Sequence, residues 1–395
     1  MNVFIKGVNS CTQRRINIGK YKQFIQQCGH KIVQNIDSCE VVLLWTCGFR
    51  GDFKQHSVNM IQALQKQKRV IACGCLPSID EDAIRQLHID YFSWKNENEI
   101  LKYFGTGSKW FNDGETTVVE GPIPIALEEF CRQYPKKKVS FCDQFIKVYI
   151  SEGCKYKCSY CSEKFAFPVF RSFDKELILK QCEKMVEKTN NYNIVLFGDS
   201  LGHYGEDLGY NLFLLIREIL RIHPRIKVGL DNLNPADFLA YCDQYEELLA
   251  NQSMFYLSLP IQSASQRMLE LMKREYNVKD IEKIFKMLQK YNFKELVTHL
   301  LVGFPTETED DFRQSINFIL RYRPKYVLLS KYMETNIMDS YELVPKITND
   351  ITQARINEAV EKFNHDGIIC NYDGCDYMQE KFQKEQIELG EFDQY

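Results

Sequence analysis

No run of about 18 apolar residues occurs anywhere in the chain, so no membrane-spanning helix is expected. The opening Met1-Asn2-Val3-Phe4-Ile5-Lys6 lacks the basic stretch, apolar core and cleavage site of a signal peptide, so export is not expected either. Net charge is also scarce, at -3 over 395 residues. That value neither calls for nucleic acid nor excludes it, because a local basic patch can hide in a neutral total. Cysteine, by contrast, is abundant, with fifteen in the chain. In a small secreted domain these would pair as disulfides. In a long chain without an export signal they read as metal ligands plus buried thiols, which places the protein in the cytoplasm, where thiols stay reduced. The 45% apolar and 26% charged content is that of a soluble globular protein. The length exceeds one ordinary core, so two domains, or one large α/β unit with an extension, are expected.

Three of the cysteines form a local pattern. Cys154, Cys158 and Cys161 lie in Ser151-Glu152-Gly153-Cys154-Lys155-Tyr156-Lys157-Cys158-Ser159-Tyr160-Cys161, a C-x3-C-x2-C triplet directly after an apolar strand-like segment. A tight loop with this spacing can aim three thiolates at the corners of one cubane iron–sulfur cluster. The usual complement is four cysteines, so one iron is left open to a small molecule, which marks an enzyme. The competing reading is a zinc knuckle, but zinc sites close with a fourth Cys or His nearby. The downstream candidates are Cys182, inside a helical pattern, and His203, far along the chain.

The first hundred residues alternate short apolar runs with amphipathic stretches. Strands are expected at Met1–Val8, Val41–Trp45 and Arg69–Cys73, and helices at Ile18–Cys28, Gly51–Lys66 and Glu81–Leu87. This order predicts a small parallel sheet covered by helices. Residues 105–143 carry Gly, Pro and the run Lys136-Lys137-Lys138 and read as a linker. From Phe145 onward six strand candidates follow: 145–150, 194–197, 226–230, 255–259, 297–302 and 326–329. Helical patterns fall between them at 175–188, 208–222, 235–249, 278–291 and 309–320, with room for another near 351–363. The expected fold class is therefore α/β: a small N-terminal parallel-sheet domain (1–104), the linker, a partial (β/α)6 barrel (144–335) and a helical C-terminal extension (336–395) whose tail from Gln379 is acidic. In such barrels chemistry sits at the C-terminal strand ends, where the triplet falls.

Three more cysteines share a position. Cys11, Cys47 and Cys75 each lie just after an N-terminal strand, and in an open parallel sheet those ends border one crevice. Convergence would come from the fold, since 36 and 28 residues separate them. The competing reading is ordinary buried cysteine. Cys73, two residues before Cys75, is the doubtful member of the structural set.

With both cysteine sets identified, the chain resembles the radical S-adenosylmethionine (SAM) methylthiotransferases, a family that includes tRNA 2-methylthioadenosine synthases and ribosomal-protein aspartate methylthiotransferases. The triplet with Tyr160 before its last cysteine carries the resemblance. So do Val195-Leu196-Phe197-Gly198-Asp199, Leu259-Pro260-Ile261-Gln262-Ser263-Ala264-Ser265, Leu271-Met272-Lys273-Arg274 and Val302-Gly303-Phe304-Pro305-Thr306-Glu307. The resemblance implies two 4Fe-4S clusters. One, on Cys154, Cys158 and Cys161, would bind SAM and cleave it to a 5′-deoxyadenosyl radical. The other, on Cys11, Cys47 and Cys75, would carry the sulfur to be inserted. It also implies an external one-electron reductant, a sulfur donor and a second SAM as methyl source. Tyr160, Gly198, Asp199, Gln262, Ser263 and Gly303 are then the expected SAM-contacting residues. Each has a plainer reading: Gly198-Asp199 as a strand-to-helix turn, Gln262-Ser263 as helix capping, Gly303 with Pro305 as an ordinary helix start. Arg171 reads either as a carboxylate or phosphate contact or as a solvated arginine.

Two departures bear on the substrate. The family's Pro-Gly-Thr after the sixth strand is replaced by Met333-Glu334-Thr335-Asn336-Ile337, and the last 60 residues show helical patterns where substrate-gripping members have a small β-barrel. Lys/Arg clustering is lacking there too. The sequence therefore favours a peptide or protein side chain as substrate, with a tRNA adenosine, or sulfur insertion without methylation, as alternatives.

Overall fold

Val41-Val42-Leu43-Leu44-Trp45-Thr46 is buried at every position, which requires cover on both faces of a sheet. The computed structural model, which describes residues 1–8, 12–105, 118–121 and 145–373, supplies that cover. Strands β1 (Asn2–Gly7), β2 (Lys31–Ile32), β3 (Val41–Thr46), β4 (Arg69–Gly74) and β5 (Asp90–Tyr91) form a parallel sheet in the order β2-β1-β3-β4-β5. Val42, Leu44, Met60 and Ile61 pack one face. The other face gathers Tyr21, Trp45, Phe92 and Trp94. The two-residue edge strands carry too little pattern to be seen in the sequence. The first helix, Thr12–Gln27, starts six residues before the expected Ile18. Its first turn is polar, so periodicity missed it; Arg14 and Asn17 are buried and bond Glu163 and Glu152 of the barrel half.

The second sheet runs β14-β13-β12-β11-β10-β9-β7-β6: β6 (Val118–Gly121), β7 (Phe145–Glu152), β9 (Asn193–Gly198), β10 (Lys227–Asp231), β11 (Met254–Gln262), β12 (Leu296–Val302), β13 (Tyr326–Lys331) and β14 (Ile369–Asp373), with β8 (Arg171–Ser172) beside β7. β6 and β8 run antiparallel to β7, and all other pairs are parallel. Helices between the strands bury their apolar stripes against the sheet. Two begin with reciprocal capping boxes, Asn277/Asp280 and Thr308/Asp311, which satisfy amides that a helix start leaves open.

Three details differ from the sequence expectations. The helix expected over 235–249 is two helices, Pro235–Ala240 and Cys242–Ala250, broken at Tyr241. β6 lies within the expected linker. Beyond residue 335, where the barrel was expected to end, helix Asn349–His365 leads into β14, which pairs parallel with β13 and adds a seventh parallel strand. Four apolar residues, Ile368, Ile369, Cys370 and Tyr372, are too short a run to separate from a helix end by pattern. The acidic tail from Gln379 lies outside the described residues.

Candidate functional site

β7 ends at Glu152 and the chain turns through Gly153, whose φ of +82° favours glycine; a Cβ there would lie 2.2 Å from the Val169 carbonyl oxygen. The Gly153 amide donates to Asp199 Oδ2 at 2.9 Å, which ties the start of the cysteine loop to the tip of β9. Cys158 is buried, and Cys154 and Cys161 are partly exposed. Burial pushes the Cys154 thiol up to about 12 and raises Cys161 well above its ordinary value. The Glu163 amide donates to Cys161 Sγ at 3.4 Å, and Arg274 Nη1 donates to Cys158 Sγ at 3.2 Å. Among the described residues no three His, Cys, Asp or Glu side chains close on a single metal ion. A cubane, in contrast, takes each thiolate on a different iron. Three thiols on one loop, two of them facing N–H donors, fit such a cluster, because hydrogen bonds to sulfur and nearby charge tune it.

Arg274 is the residue sequence reasoning passed over. It was visible in the Leu271–Arg274 segment but had no role there. Its guanidinium also donates to Tyr160 Oη at 3.0 Å, Tyr276 Oη at 2.8 Å and the Pro260 carbonyl at 3.2 Å, so it is held in one orientation. The loop is anchored from the same side by Ser159, whose hydroxyl donates to the Leu271 carbonyl at 2.7 Å. Arg274→Met removes a fixed cation from beside Cys158, so the midpoint potential of a cluster there is expected to fall, because reduction adds negative charge. An EPR-monitored redox titration against the parent checks this, and an unchanged potential would count against it.

His203, remote in sequence, is brought to the loop: its ring lies 4.8 Å from that of Tyr156, between Cys154 and Cys158. Its Nδ1 is 2.8 Å from Ser200 Oγ. Tyr156 in turn hydrogen-bonds to Asp237, which packs on Gly202 so closely that a Cβ there would lie 2.1 Å from its carboxyl carbon. Cys182, the other distant candidate, is fully buried in the barrel core.

Of the expected SAM-contacting residues Tyr160 lies in the triplet loop, and Gly198, Asp199, Gln262, Ser263 and Gly303 fall at or just past C-terminal strand ends, several with structural work of their own. A Cβ on Gly198 would meet Ser151 Oγ at 2.3 Å. Asp199 Oδ2 accepts from Arg14 Nη2 at 2.8 Å and Tyr149 Oη at 3.1 Å besides Gly153. Gln262 closes β11 with a φ of +65°. Ser263 Oγ lies 3.1 Å from Ser315 Oγ and accepts the Ser265 amide at 3.1 Å, while Ser265 caps helix Gln266–Leu271. Gly303, at φ +81°, presses on Thr352, whose Oγ1 would be 2.4 Å from an added Cβ. Arg171 hydrogen-bonds to Glu152. Inside the barrel, Tyr256 donates to Asp231 at 3.0 Å and Ser258 Oγ lies 3.3 Å from His299 Nε2.

Burial holds His299 down to about 4, against an ordinary 6.5. Between those values the unfolded chain binds a proton that the folded chain refuses. Stability is therefore full above about pH 6.5 and falls toward pH 4, by about 1–3 kcal/mol. Chemical denaturation at pH 7 and pH 5 should show a smaller difference in His299→Gln than in the parent.

On the N-terminal side, Cys47 and Cys75 follow directly on the paired residues Thr46 and Gly74 at the ends of β3 and β4. Cys11 lies outside the described residues. Gly74, at φ +94°, turns the chain into helix Cys75–Ile79; a Cβ there would lie 2.7 Å from the Thr46 carbonyl. The Cys47 amide donates to Ser57 Oγ at 3.0 Å. Cys73 points into the apolar cluster with Trp45 and is fully buried, consistent with a structural thiol. These loops abut the triplet loop. Ser162 Oγ, next to Cys161, donates to the Phe49 carbonyl, two residues past Cys47, at 3.0 Å. Helix Glu163–Ala166 packs on helix Cys75–Ile79, and Ala166 and Phe167 complete the N-terminal core.

Known proteins resemble the chain in both halves. Residues 148–319 match the radical SAM superfamily, and residues 7–92 match the uncharacterized protein family UPF0004. A probable threonylcarbamoyladenosine tRNA methylthiotransferase of Pyrococcus abyssi is 28% identical over 326 residues, 82% of this chain and 75% of that protein. The threonylcarbamoyladenosine tRNA methylthiotransferase of Aquifex aeolicus is 27% identical, covering 88% of this chain and 84% of its own length. The ribosomal protein uS12 methylthiotransferase of Protochlamydia amoebophila is 25% identical, covering 85% and 70%. Among solved structures, a radical SAM methyltransferase of Kitasatospora setae, with tryptophan and a SAM analogue bound, matches at a TM-score of 0.58 with 12% identity over 83% of this chain and 72% of that one. That likeness is one of fold. Among the described residues no helix is long and apolar enough to cross a membrane.

Proposed function

We propose that the chain is a two-cluster radical SAM methylthiotransferase that inserts sulfur into an unactivated C–H bond and methylates it, a reading supported by the radical SAM and UPF0004 matches and by the similarity to methylthiotransferases. The observation that carries this reading is the shared boundary: the Cys47 and Cys75 loops lie directly against the loop of Cys154, Cys158 and Cys161. The clusters and SAM supply the radical chemistry and the sulfur, with electrons from an external reductant, sulfur from a donor and the methyl group from a second SAM. The chain's own residues hold the two sets of thiols in reach of one substrate carbon. Tyr160, Gly198, Asp199, Gln262, Ser263 and Gly303 are the proposed SAM contacts. Iron of about eight atoms per chain, falling to about four in Cys11→Ala/Cys47→Ala/Cys75→Ala, tests the second cluster. A parent protein already at the lower value would refute it.

For the substrate we favour a peptide or protein side chain. Every Lys and Arg between residues 336 and 373 faces a carboxylate: Lys346 with Glu334 at 2.6 Å, Arg355 with Glu307 at 2.8 Å and Lys362 with Glu358 at 2.7 Å. Cations already neutralised in this way make poor phosphate ligands. The tRNA reading is supported by the names of the similar proteins above. Mass spectrometry of tRNA nucleosides and of the proteome from cells lacking the gene separates the two. A lost methylthio-adenosine would overturn the side-chain reading, and sulfur without methyl on the product would point to plain sulfur insertion.

A further inference from the structure

One arginine of the N-terminal half is buried and bonds groups of the barrel. Arg14, in the first turn of helix Thr12–Gln27, is 2% exposed. Its Nη2 donates to Glu163 Oε1 at 2.6 Å and to Asp199 Oδ2 at 2.8 Å, and its Nη1 reaches Tyr149 Oη at 3.3 Å and lies 3.9 Å from Glu152 Oε1. Its guanidinium carbon sits 3.3 Å from the centre of the Phe167 ring. The two carboxylates it bonds are those that fix the ends of the triplet loop. Asp199 Oδ2 holds the amide of Gly153, just before Cys154, and Glu163 lies two residues past Cys161. One turn further along the same helix face, Asn17 donates to Glu152 Oε1 at 3.4 Å. Arg14 itself follows Cys11 by three residues.

We infer that Arg14 is a positioning residue that sets the distance between the two cysteine sets. The inference rests on the two-cluster reading above. The planar guanidinium bonds both carboxylates through Nη2, reaches Tyr149 through Nη1 and still lies flat on an aromatic ring, whereas a lysine offers one point of charge and no flat face. Arg14 thus fixes helix Thr12–Gln27 to both ends of the triplet loop at once. Without it the two thiol sets remain, joined by the Asn17–Glu152 and Ser162–Phe49 hydrogen bonds and the packing around Phe167, none of which ties this helix to both ends of the triplet loop.

The test uses the full chain, anaerobically reconstituted with iron and sulfide and reduced with dithionite, and reads the magnetic coupling between the clusters by EPR power saturation. Dipolar coupling falls with the cube of the distance, so it reports position rather than folding. Arg14→Gln is expected to retain the parent's iron content and lose the coupling broadening, and Arg14→Lys to lose it in part. Arg171→Gln, which removes a cation from the other side of Glu152 without touching the N-terminal helix, should leave the coupling as in the parent. Equal coupling in Arg14→Gln and the parent, or the same loss in Arg171→Gln, would overturn the inference. If Arg14→Gln does not fold, Arg14→Lys carries the test, and unchanged coupling there is equally fatal. A parent with about four irons and one signal would instead sink the two-cluster reading itself.

Discussion

Cys158→Ala is expected to abolish reductive cleavage of SAM, lowering 5′-deoxyadenosine formation with dithionite by at least about 10³-fold, the scale of losing a group the chemistry depends on. Cys158 is the most enclosed of the three triplet cysteines and the one that Arg274 faces at 3.2 Å. A cubane with only two protein thiolates is poorly held. The protein has no second route to the reaction, because the cofactor and not a side chain performs it. Removing the thiol also leaves a partly enclosed guanidinium without one of its partners. The contrast is Cys182→Ala, which deletes a fully buried sulfur from the barrel core and should cost about 1 kcal/mol of stability while cleavage continues. Cleavage that survives in a folded Cys158→Ala, or disappears in a folded Cys182→Ala, would show that the triplet is not the radical-generating site.

Phe167→Ala is expected to destabilise the chain by about 3–5 kcal/mol and to uncouple its two sheets. Phe167 leaves the triplet loop and enters the N-terminal core, 5.2 Å from Trp94 edge to face, with Trp94 in turn 5.7 Å from Trp45. Its other face carries the Arg14 guanidinium. Truncation therefore opens a cavity in the N-terminal half through a residue covalently part of the barrel half, and strips cover from a buried cation. Denaturation followed by tryptophan fluorescence reports on this directly, since all three tryptophans lie within residues 1–110. The expected result is an early fluorescence transition that separates from the loss of helical circular dichroism, where the parent shows the two together. Coincident transitions with an unchanged midpoint would contradict the shared core.

The sequence was informative wherever chemistry or periodicity is local. The triplet's spacing singles out Cys154, Cys158 and Cys161, which the structure carries on one loop after β7. The alternation of apolar runs from Phe145 to Leu329 located the strands within a few residues. It could not show β14, because four apolar residues after a helix have no period of their own. It also could not show the start of the first helix. Arg14 and Asn17 are polar, and the carboxylates they bond lie in the barrel half more than a hundred residues away. Arg274 and His203 illustrate the same limit at the site, since each reaches the triplet loop from a different strand-end loop.

Cys11, Cys47 and Cys75 lie between these cases. The sequence by itself determined that each follows a strand, because period-two and all-buried patterns are properties of a segment. Only the tertiary structure decided that the loops of Cys47 and Cys75 face the triplet, through Ser162 on Phe49, Arg14 on Glu163 and Asp199, and Phe167 among the tryptophans. Those contacts join residues 73 to 185 positions apart, which no local pattern records.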